Sequence, residues 1–481
     1  MICWQFAAGH FKQLFFGIGE LWMLDKLAIV GACGICLLMA FVGVNHDAYL
    51  LGWKSIALYL GAPATIVAGI CSAFLLPREW RQTLFISGLS VVAGVYLFEA
   101  FLWYDMHRDR LPSDSDKRTR LQVIDQYRTE GIRAYPSVTP RMISLSEARG
   151  ALSTKDGLLL PLGGIANSQI VHCRESRTWR IYPSDEHGFA NPRGIWGLAD
   201  IDIMAVGDSY THGACVPVKK DFVAIIQQQY PKTLGVGGGG NGPLTELATI
   251  REYVAVKRPR TVVWFYFEND LQDLFREKRH PLLRGYLNTS FQQGLFNRQS
   301  EIDMSLKSFV ESQYREARSL VSESDNKKID FLDLIKFGDG ANPLAFIPAL
   351  TLPLTRRKFG LTFAGGEWPA PDTATFRKIL MLARDEIRGW GGRLFFVMIP
   401  EWNSVILGDQ RKMVYYDAAR KVAEELRITV IDLAPVVLDH PDPRSLWPNR
   451  GPGHFGETGH ALVGQIVVDT LLAAGIQRHD D

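Results

Sequence analysis

Gly207-Asp208-Ser209 is the stretch of this sequence whose residue types and position could carry out chemistry. It follows the apolar run 201–206, which predicts a buried strand, and it breaks that strand with a turn. A serine on a turn at the end of a central strand can be held out of the sheet as a nucleophile. The tripeptide alone is also compatible with an ordinary turn, because Asp and Ser are common turn residues. A nucleophilic role therefore requires a base and oxyanion donors elsewhere in the chain.

Three other stretches offer those groups. His454, in a loop ahead of the last helical segment, could act as the base. The glycine-rich run 235–243 has bare backbone N–H groups that a substrate could approach closely, and Asn269 could point an amide N–H into the same space. Each has a plain alternative: a loop histidine without a catalytic role, a flexible loop, and a cap for the following helix. The glycine run is a poor dinucleotide fingerprint and is not a Walker loop, so we expect no cofactor.

Apolar strand patterns alternate with helical patterns through the second half of the chain. The predicted strands are residues 201–206, 234–236, 261–267, 394–399 and 428–431. The predicted helices are residues 222–230, 244–256, 376–390, 415–426 and 459–474. This alternation predicts an α/β fold with a parallel sheet that helices cover on both faces. The site of such a sheet lies beyond the carboxyl ends of its strands, where the groups named above are expected.

These blocks, in this order, resemble the SGNH or GDSL hydrolase superfamily, and the run 184–189 resembles a membrane-anchored bacterial subgroup of it. The resemblance covers about residues 158–475, with a less characteristic insertion around residues 276–366. It implies a three-layer α/β/α, flavodoxin-like domain. It also implies a serine enzyme that hydrolyses or transfers acyl esters without a cofactor or metal.

The resemblance gives each site residue a role. Ser209 would attack the acyl carbonyl, and His454 would take its proton as general base and return it to the leaving group. The oxyanion would be bound by the Ser209 N–H, the Gly240 N–H and the Asn269 side chain. Gly238 is the alternative to Gly240 if the extra glycines form a bulge.

Two positions depart from the family pattern. The family usually has an acid three residues before the histidine, where this chain has Gly451, and a glycine before the asparagine, where it has Glu268. The third triad member is therefore open. Asp442 is the candidate because it is the nearest in sequence of three aspartates that precede His454, the others being Asp432 and Asp439. A serine–histidine pair oriented by a backbone carbonyl is the alternative.

Other titratable residues near these blocks have weaker patterns. His212 and His460 are rival bases, and His460 falls inside the start of a helix, where we expect it to pack or cap. Asp185-Glu186-His187 has poor ligand spacing because the three residues are adjacent, so we expect no metal site there. The six cysteines do not form a disulfide framework, although Cys173 and Cys215 could pair in an oxidising compartment.

The first hundred residues are apolar and poor in charge. Three stretches have the length and composition to cross a bilayer as helices: residues 27–44, 55–77 and 82–104. The sequence therefore predicts a membrane region over residues 1–104, a juxtamembrane linker over 105–157 and the hydrolase-like domain over 158–481. Lysine and arginine positions around the spans put the N-terminus in the cytoplasm, and three crossings then place the hydrolase-like domain in the periplasm, anchored in the inner membrane.

The net charge of +2 gives no basic field, so we expect no nucleic-acid partner. The first functional hypothesis is a membrane-anchored esterase or O-acyltransferase whose substrate is an acylated, above all acetylated, envelope polysaccharide or a similar ester. One alternative is a catalytically impaired binding protein of an envelope assembly, motivated by Gly451. The other is a lipid-directed esterase, motivated by anchoring beside the bilayer.

Overall fold

The computed structural model describes residues 21–44, 60–107, 116–175, 177–323, 352, 355, 370–408 and 410–477. The chain divides into two compact units. One unit comprises Met1–Asp105 and Phe346–Ala370, and the other comprises Met106–Ala345 and Pro371–Asp481.

The described part of the first unit is helical, with α1 (Leu21–Val44), α2 (Ala62–Ala73) and α3 (Arg78–His107). Among the described residues one helical segment, Arg78–Tyr104 within α3, is long and apolar enough to cross a membrane. It matches the third predicted span. The other two spans remain predictions, because α1 and α2 contain shorter apolar segments and residues 45–59 lie outside the described part.

The second unit contains short strands and the strands of a larger sheet. In chain order they are β1 (Ala134–Pro136), β2 (Leu152–Thr154), β3 (Gly157–Leu159), β4 (Gln169–Val171), β5 (Ile181–Pro183), β6 (Ile203–Gly207), β7 (Thr233–Gly235), β8 (Thr261–Phe267), β9 (Arg393–Ile399) and β10 (Thr429–Asp432).

Its helices connect and cover these strands. In chain order they are α4 (Arg120–Thr129), α5 (Pro140–Ser146), α6 (Phe222–Gln229), α7 (Pro243–Thr249), which continues through a π turn into α8 (Ala255–Lys257), α9 (Asp270–Glu277), α10 (Pro281–Gly285), α11 (Gln299–Glu323), α12 (Thr373–Gly389), α13 (Trp402–Leu407), α14 (Gln410–Glu425), α15 (Ala434–Leu438) and α16 (Glu457–Ala473).

The larger sheet has the spatial order β10-β9-β8-β6-β7, and all its neighbouring strands are parallel. This is the flavodoxin-like order, and it confirms the predicted α/β class and parallel sheet. The chain leaves β6 for one edge of the sheet and returns on the other side of β6 as β8. The crevice at this reversal point, between β6 and β8, is where open α/β sheets bind their ligands.

Residues of β8 show why helices must cover both faces of the sheet. Successive side chains of a strand point to opposite faces. Val263 and Phe265 join a core with α6 and α16, whereas the Tyr266 ring lies 5.9 Å from the Phe376 ring of α12. All these side chains are buried, so the strand is apolar on both of its faces after Thr261.

Residues 116–157, which the sequence analysis placed in a linker, fold with the second unit. Helix α4 begins with a capping box between Thr119 and Gln122, and it buries Val123 and Ile124. Strand β1 then pairs in parallel with β4, which pairs antiparallel with β5. Residues 108–115 of the predicted linker lie outside the described part, as do residues 324–351 of the predicted insertion.

Candidate active site

The turn after β6 holds Ser209 at the carboxyl edge of the sheet. Gly207 closes the strand in a tight space, because a Cβ there would lie 2.2 Å from the Thr211 hydroxyl and 2.7 Å from the Phe265 carbonyl oxygen. The buried Asp208 carboxylate accepts a hydrogen bond from the Tyr210 N–H at 2.9 Å, which shapes the turn. Ser209 is left half-buried, with its side chain available to a second group.

That second group is His454. Its Nε2 lies 2.8 Å from the Ser209 Oγ, within hydrogen-bond distance, although 245 positions separate the two residues in the sequence. Tyr210 supports the histidine loop, since its hydroxyl donates to the Gly453 carbonyl at 3.3 Å and its ring lies 5.1 Å from the imidazole. The structure therefore brings together the two residues that the sequence pattern selected.

The imidazole is held on its other side by Glu175. The His454 Nδ1 lies 2.6 Å from one carboxylate oxygen of Glu175, and the His454 backbone N–H donates to the other oxygen at 2.8 Å. A proton on Nδ1 leaves Nε2 as an acceptor for the Ser209 hydroxyl. Ser209, His454 and Glu175 are thus hydrogen-bonded in series, which is the geometry that a nucleophile, its base and an acid that orients the base require.

Asp442, the predicted triad acid, lies elsewhere. Its two carboxylate oxygens accept hydrogen bonds from the Arg450 guanidinium at 2.7 and 2.8 Å on the surface. This bidentate pair lowers the pKa of Asp442 and engages both oxygens. The carboxylate that contacts His454 is Glu175, so proximity in sequence was the wrong guide to the acid.

The electrostatic interaction between His454 and Glu175 favours the protonated form of His454. Burial alone would lower the His454 pKa, but the hydrogen bond and the charge of Glu175, with a further contribution from Asp208, raise it above its ordinary value of 6.5. Burial would raise the Glu175 pKa, but His454 lowers it below 4.5. The carboxylate is therefore ionised near neutral pH and stabilises an imidazolium when one forms.

Glu175 lies in the connection of the β4–β5 hairpin, 279 positions before His454. The hairpin continues past its strands, because the His172 N–H donates to the Arg180 carbonyl and the Arg180 N–H donates to the Cys173 carbonyl, each at 2.9 Å. No spacing rule connects a hairpin residue to a loop this far away. The signal that could have found Glu175 is Cys173, two residues earlier, because a bond from Cys173 to Cys215 would bring the hairpin to the serine turn.

The rival histidines contact other groups. His460 is fully buried, and its Nδ1 accepts a hydrogen bond from the Phe222 N–H at 3.2 Å, so it packs and caps as expected. His212 lies with its Nε2 2.7 Å from the Tyr182 hydroxyl. Burial lowers the pKa of each imidazole to about 3, which leaves a weak base.

The Ser209 hydroxyl has a second acceptor in Asp208, whose Oδ2 lies 3.1 Å from Oγ. Burial raises the pKa of Asp208 to about 6, against the hydrogen bonds it accepts. One hydroxyl proton can be donated to Asp208 or to His454, and the contact to His454 is the shorter. The activating hydrogen bond therefore requires a neutral His454, since an imidazolium would donate through Nε2 instead.

The glycine loop distinguishes the two predicted oxyanion donors. The Gly238 N–H donates to the Gly207 carbonyl at 3.2 Å, so it is already engaged. Gly240 has a φ of +71°, and a Cβ there would lie 2.7 Å from the Arg141 Cδ. The left-handed conformation favours glycine at this position. Because the Gly238 N–H is engaged by Gly207, Gly240 remains the predicted loop donor.

Asn269 lies two residues after the end of β8, the strand that pairs with β6 at the reversal point. It occupies the cap position of α9, yet its side chain makes no capping hydrogen bond. The sequence alternative, a structural cap, therefore does not describe what this amide does. Glu268, where the family has glycine, turns into the protein and accepts hydrogen bonds from the Glu401 N–H and the Ser404 hydroxyl.

Replacing Asn269 with alanine should reduce kcat for ester hydrolysis about 100-fold or more with little change in KM, because an oxyanion donor acts on the transition state and contributes about 3 kcal/mol. The measurement is steady-state hydrolysis of a short-chain aryl acetate by the two purified proteins. An unchanged kcat would remove Asn269 from the site.

One group of potential metal ligands coincides with this site: an oxygen of Glu175, the Cys215 sulfur and a nitrogen of His454 all lie within 4.8 Å of one another. Cys215 is bonded to Cys173 and offers no thiolate while that bond is intact. Glu175 already binds the imidazole, so the triad accounts for this cluster without a metal ion.

Neither the models of known protein families nor the curated proteins give a match to this sequence. Solved structures similar to the chain include a lipase/acylhydrolase from Enterococcus faecalis, at 14% identity over 57% of this chain and 96% of that one, with a TM-score of 0.31. An acetyl xylan esterase has 13% identity over 56% of this chain and 100% of its own, with a TM-score of 0.30.

A member of the lipolytic G-D-S-L family from Veillonella parvula DSM 2008 has 12% identity over 57% of this chain and 97% of its own, with a TM-score of 0.29. By name, these three structures are a lipase/acylhydrolase, an acetyl xylan esterase and a member of the lipolytic G-D-S-L family. At these identities and scores the similarity determines nothing about substrate or residue roles, so the chemistry has to come from the side chains described above.

Proposed function

We propose that this chain is a membrane-anchored serine esterase of SGNH type that hydrolyses or transfers acyl groups, above all acetyl, on an envelope polysaccharide. The observation that carries the proposal is the hydrogen-bonded series from Ser209 to His454 to Glu175, with heavy-atom distances of 2.8 and 2.6 Å. A nucleophile, a base and a carboxylate that orients the base are what acyl transfer through a serine requires.

In the proposed reaction Ser209 Oγ attacks the acyl carbonyl while its proton passes to His454 Nε2. Glu175 stabilises the imidazolium, and His454 then donates that proton to the leaving alcohol. The acyl-serine is released by a water molecule in hydrolysis, or by an acceptor hydroxyl in transfer, each deprotonated by His454. The Ser209 and Gly240 N–H groups and the Asn269 amide would bind the oxyanion of both tetrahedral intermediates.

The surroundings of Gly240 favour a polar substrate over a lipid. Gly240 borders an open cavity of about 290 Å³ whose lining includes Arg276, Arg279 and His280. Arg276 already donates to the Asp273 carboxylate, and His280 Nε2 already contacts the Gly150 carbonyl. Arg279 is therefore the lining group to which sugar hydroxyls could bind, and it supports a carbohydrate substrate over the lipid-directed alternative.

Membrane anchoring rests on α3. Many of its apolar side chains are exposed among the described residues, and Leu89, Val91 and Leu97 each expose more than half of their surface. A helix of this length with an exposed apolar surface suits a bilayer. The inner membrane and the periplasmic position of the hydrolase-like unit follow only from the positive-inside distribution of the loops.

The binding-protein alternative was motivated by Gly451, which removes the acid from its usual place. The contact of Glu175 with His454 supplies an acid from another direction, so that motivation no longer applies. The chemistry available at the site therefore supports an enzyme over a binding module.

The proposal is tested by treating the purified full-length protein with a serine-reactive fluorophosphonate and mapping the modified peptide by mass spectrometry. We expect labelling of Ser209, acetate release from an O-acetylated polysaccharide, and little activity on a long-chain lipid ester. Absence of labelling in folded protein would contradict the serine mechanism.

A reporter fused after Tyr104 tests the topology separately, since a cytoplasmic signal there would contradict the periplasmic position.

A further inference from the structure

A disulfide connects the two segments that carry the triad's nucleophile and acid. Cys173 and Cys215 are bonded, and 42 positions separate them in the sequence. Cys173 lies two residues before Glu175, in the β4–β5 hairpin, and Cys215 lies six residues after Ser209. The bond therefore joins the two segments close to both functional side chains.

Distances at the site show how near the bond lies to the chemistry. The Cys215 sulfur lies within 4.8 Å of both a Glu175 carboxylate oxygen and a His454 ring nitrogen. The sulfur itself takes no part in the hydrogen bonds of the triad, which run from Ser209 through His454 to Glu175. The bond can therefore act on the reaction only through the positions of the two segments that it joins, and its nearer end lies two residues from Glu175.

The other attachments of the hairpin act at different places. Buried Arg180, on the second arm of the hairpin, binds the Asp221 carboxylate at 3.3 Å and the His212 carbonyl. The Asn449 side chain donates to the Glu175 carbonyl at 3.2 Å, on the histidine side of the site. The disulfide is the covalent attachment on the arm that leads directly into Glu175.

We propose that the Cys173–Cys215 disulfide is a positioning element of the triad, which holds the Glu175 carboxylate against His454 and makes the oxidised protein the fully active form. This inference rests on the proposed function. When the bond opens, the hairpin keeps its Arg180 attachment, but the segment at Glu175 gains freedom. Displacement of a catalytic group by about 1 Å costs about 100-fold in rate, so loss of activity does not require unfolding.

The test uses full-length protein in which the four other cysteines, Cys3, Cys33, Cys36 and Cys71, are replaced by serine, so that reagents act on this bond alone. Dithiothreitol supplies two electrons and two protons per disulfide and leaves as its cyclic disulfide, and thiol titration should show two new thiols per chain. We then expect kcat for an aryl acetate to fall about 10-fold or more with KM nearly constant. Cys173→Ser/Cys215→Ser protein should show the same loss and no response to dithiothreitol.

A double-mutant comparison separates positioning from general stability. In a Glu175→Gln background, opening the disulfide should change kcat by less than about twofold, because the group that the bond positions is already absent. The acid limb of the kcat/KM profile should also move to lower pH on reduction, as it does in Glu175→Gln protein.

Two outcomes would overturn the inference: an unchanged kcat after complete reduction, or an equal loss on reduction with Glu175 and with Gln at position 175. The second outcome would show that the bond affects the rate through something other than the position of Glu175, such as the position of the serine turn or the stability of the fold. If the oxidised protein neither hydrolyses esters nor reacts with a fluorophosphonate, the proposed function itself fails, and that result differs from both.

Discussion

Replacing Ser209 with alanine should lower kcat/KM for a short-chain aryl acetate about 10⁵- to 10⁶-fold and abolish labelling by a fluorophosphonate. Alanine removes the oxygen that lies 2.8 Å from His454 Nε2 and leaves the rest of the site intact. Only the oxyanion donors and substrate binding would then accelerate the reaction. Hydrolysis by the variant should therefore remain somewhat faster than the uncatalysed reaction in water.

The control for this prediction is the same substitution at Ser308, which is exposed on α11. Ser308→Ala protein should keep wild-type kinetics and labelling. Ser209→Ala protein should keep the far-ultraviolet circular dichroism spectrum and melting temperature of wild type. Labelling that persists in folded Ser209→Ala protein would place the reactive serine elsewhere and reject the proposed mechanism.

Replacing Glu175 with glutamine should lower kcat about 10⁴-fold, the loss associated with removing the acid of a serine triad. The amide would present an N–H to His454 Nδ1 and so favour the tautomer with its proton on Nε2, which cannot accept the Ser209 proton. Asp442→Asn is the matched control, and its kcat should stay within about twofold of wild type, because a surface ion pair contributes little.

The same pair of variants makes a prediction about pH. Glu175 raises the His454 pKa, and the base must be neutral to act, so wild-type kcat/KM should fall as pH drops through a value above 6.5. Without the carboxylate, the His454 pKa is lower and the neutral base persists to lower pH. The acid limb should therefore move down in Glu175→Gln and stay in place in Asp442→Asn. A large loss in Asp442→Asn with normal kinetics in Glu175→Gln would restore Asp442 as the acid.

The activity that remains in Glu175→Gln protein should still depend on Ser209 and His454. Residues that act as one catalytic unit are not additive, so Ser209→Ala/Glu175→Gln protein should be no slower than Ser209→Ala protein. Additive losses would mean that Glu175 affects the rate through something other than the imidazole.

The sheet could be predicted closely because its signals are local. The observed bounds of β6, β7, β8, β9 and β10 differ from the predicted ones by at most two residues. Strands of a parallel sheet are rich in apolar residues because helices cover both of its faces. The order of the strands in the sheet could not be predicted from local sequence patterns. It depends on which strands lie side by side, and it places β6 between β7 and β8.

The membrane region shows the limit of the same approach. Apolar length predicted three spans, and the described residues contain one helical segment, Arg78–Tyr104, that meets the requirements of length and hydropathy.

The residues after the membrane region show a different limit. Their charge suggested a solvated linker, but a helix whose buried apolar residues are Val123 and Ile124 gives a weak periodic signal among its polar neighbours.

For the chemistry, the sequence by itself determined where a nucleophile and its base could lie. A serine at a strand end and a histidine before the last helix are recognisable because each position depends on a few adjacent residues. Tertiary structure alone decided the acid. Asp442 was nearest along the chain, but it is engaged by Arg450, and the Cys173–Cys215 bond joins the hairpin of Glu175 to the serine turn. A contact across 279 positions depends on how separate sheets pack, and no local pattern in the sequence records it.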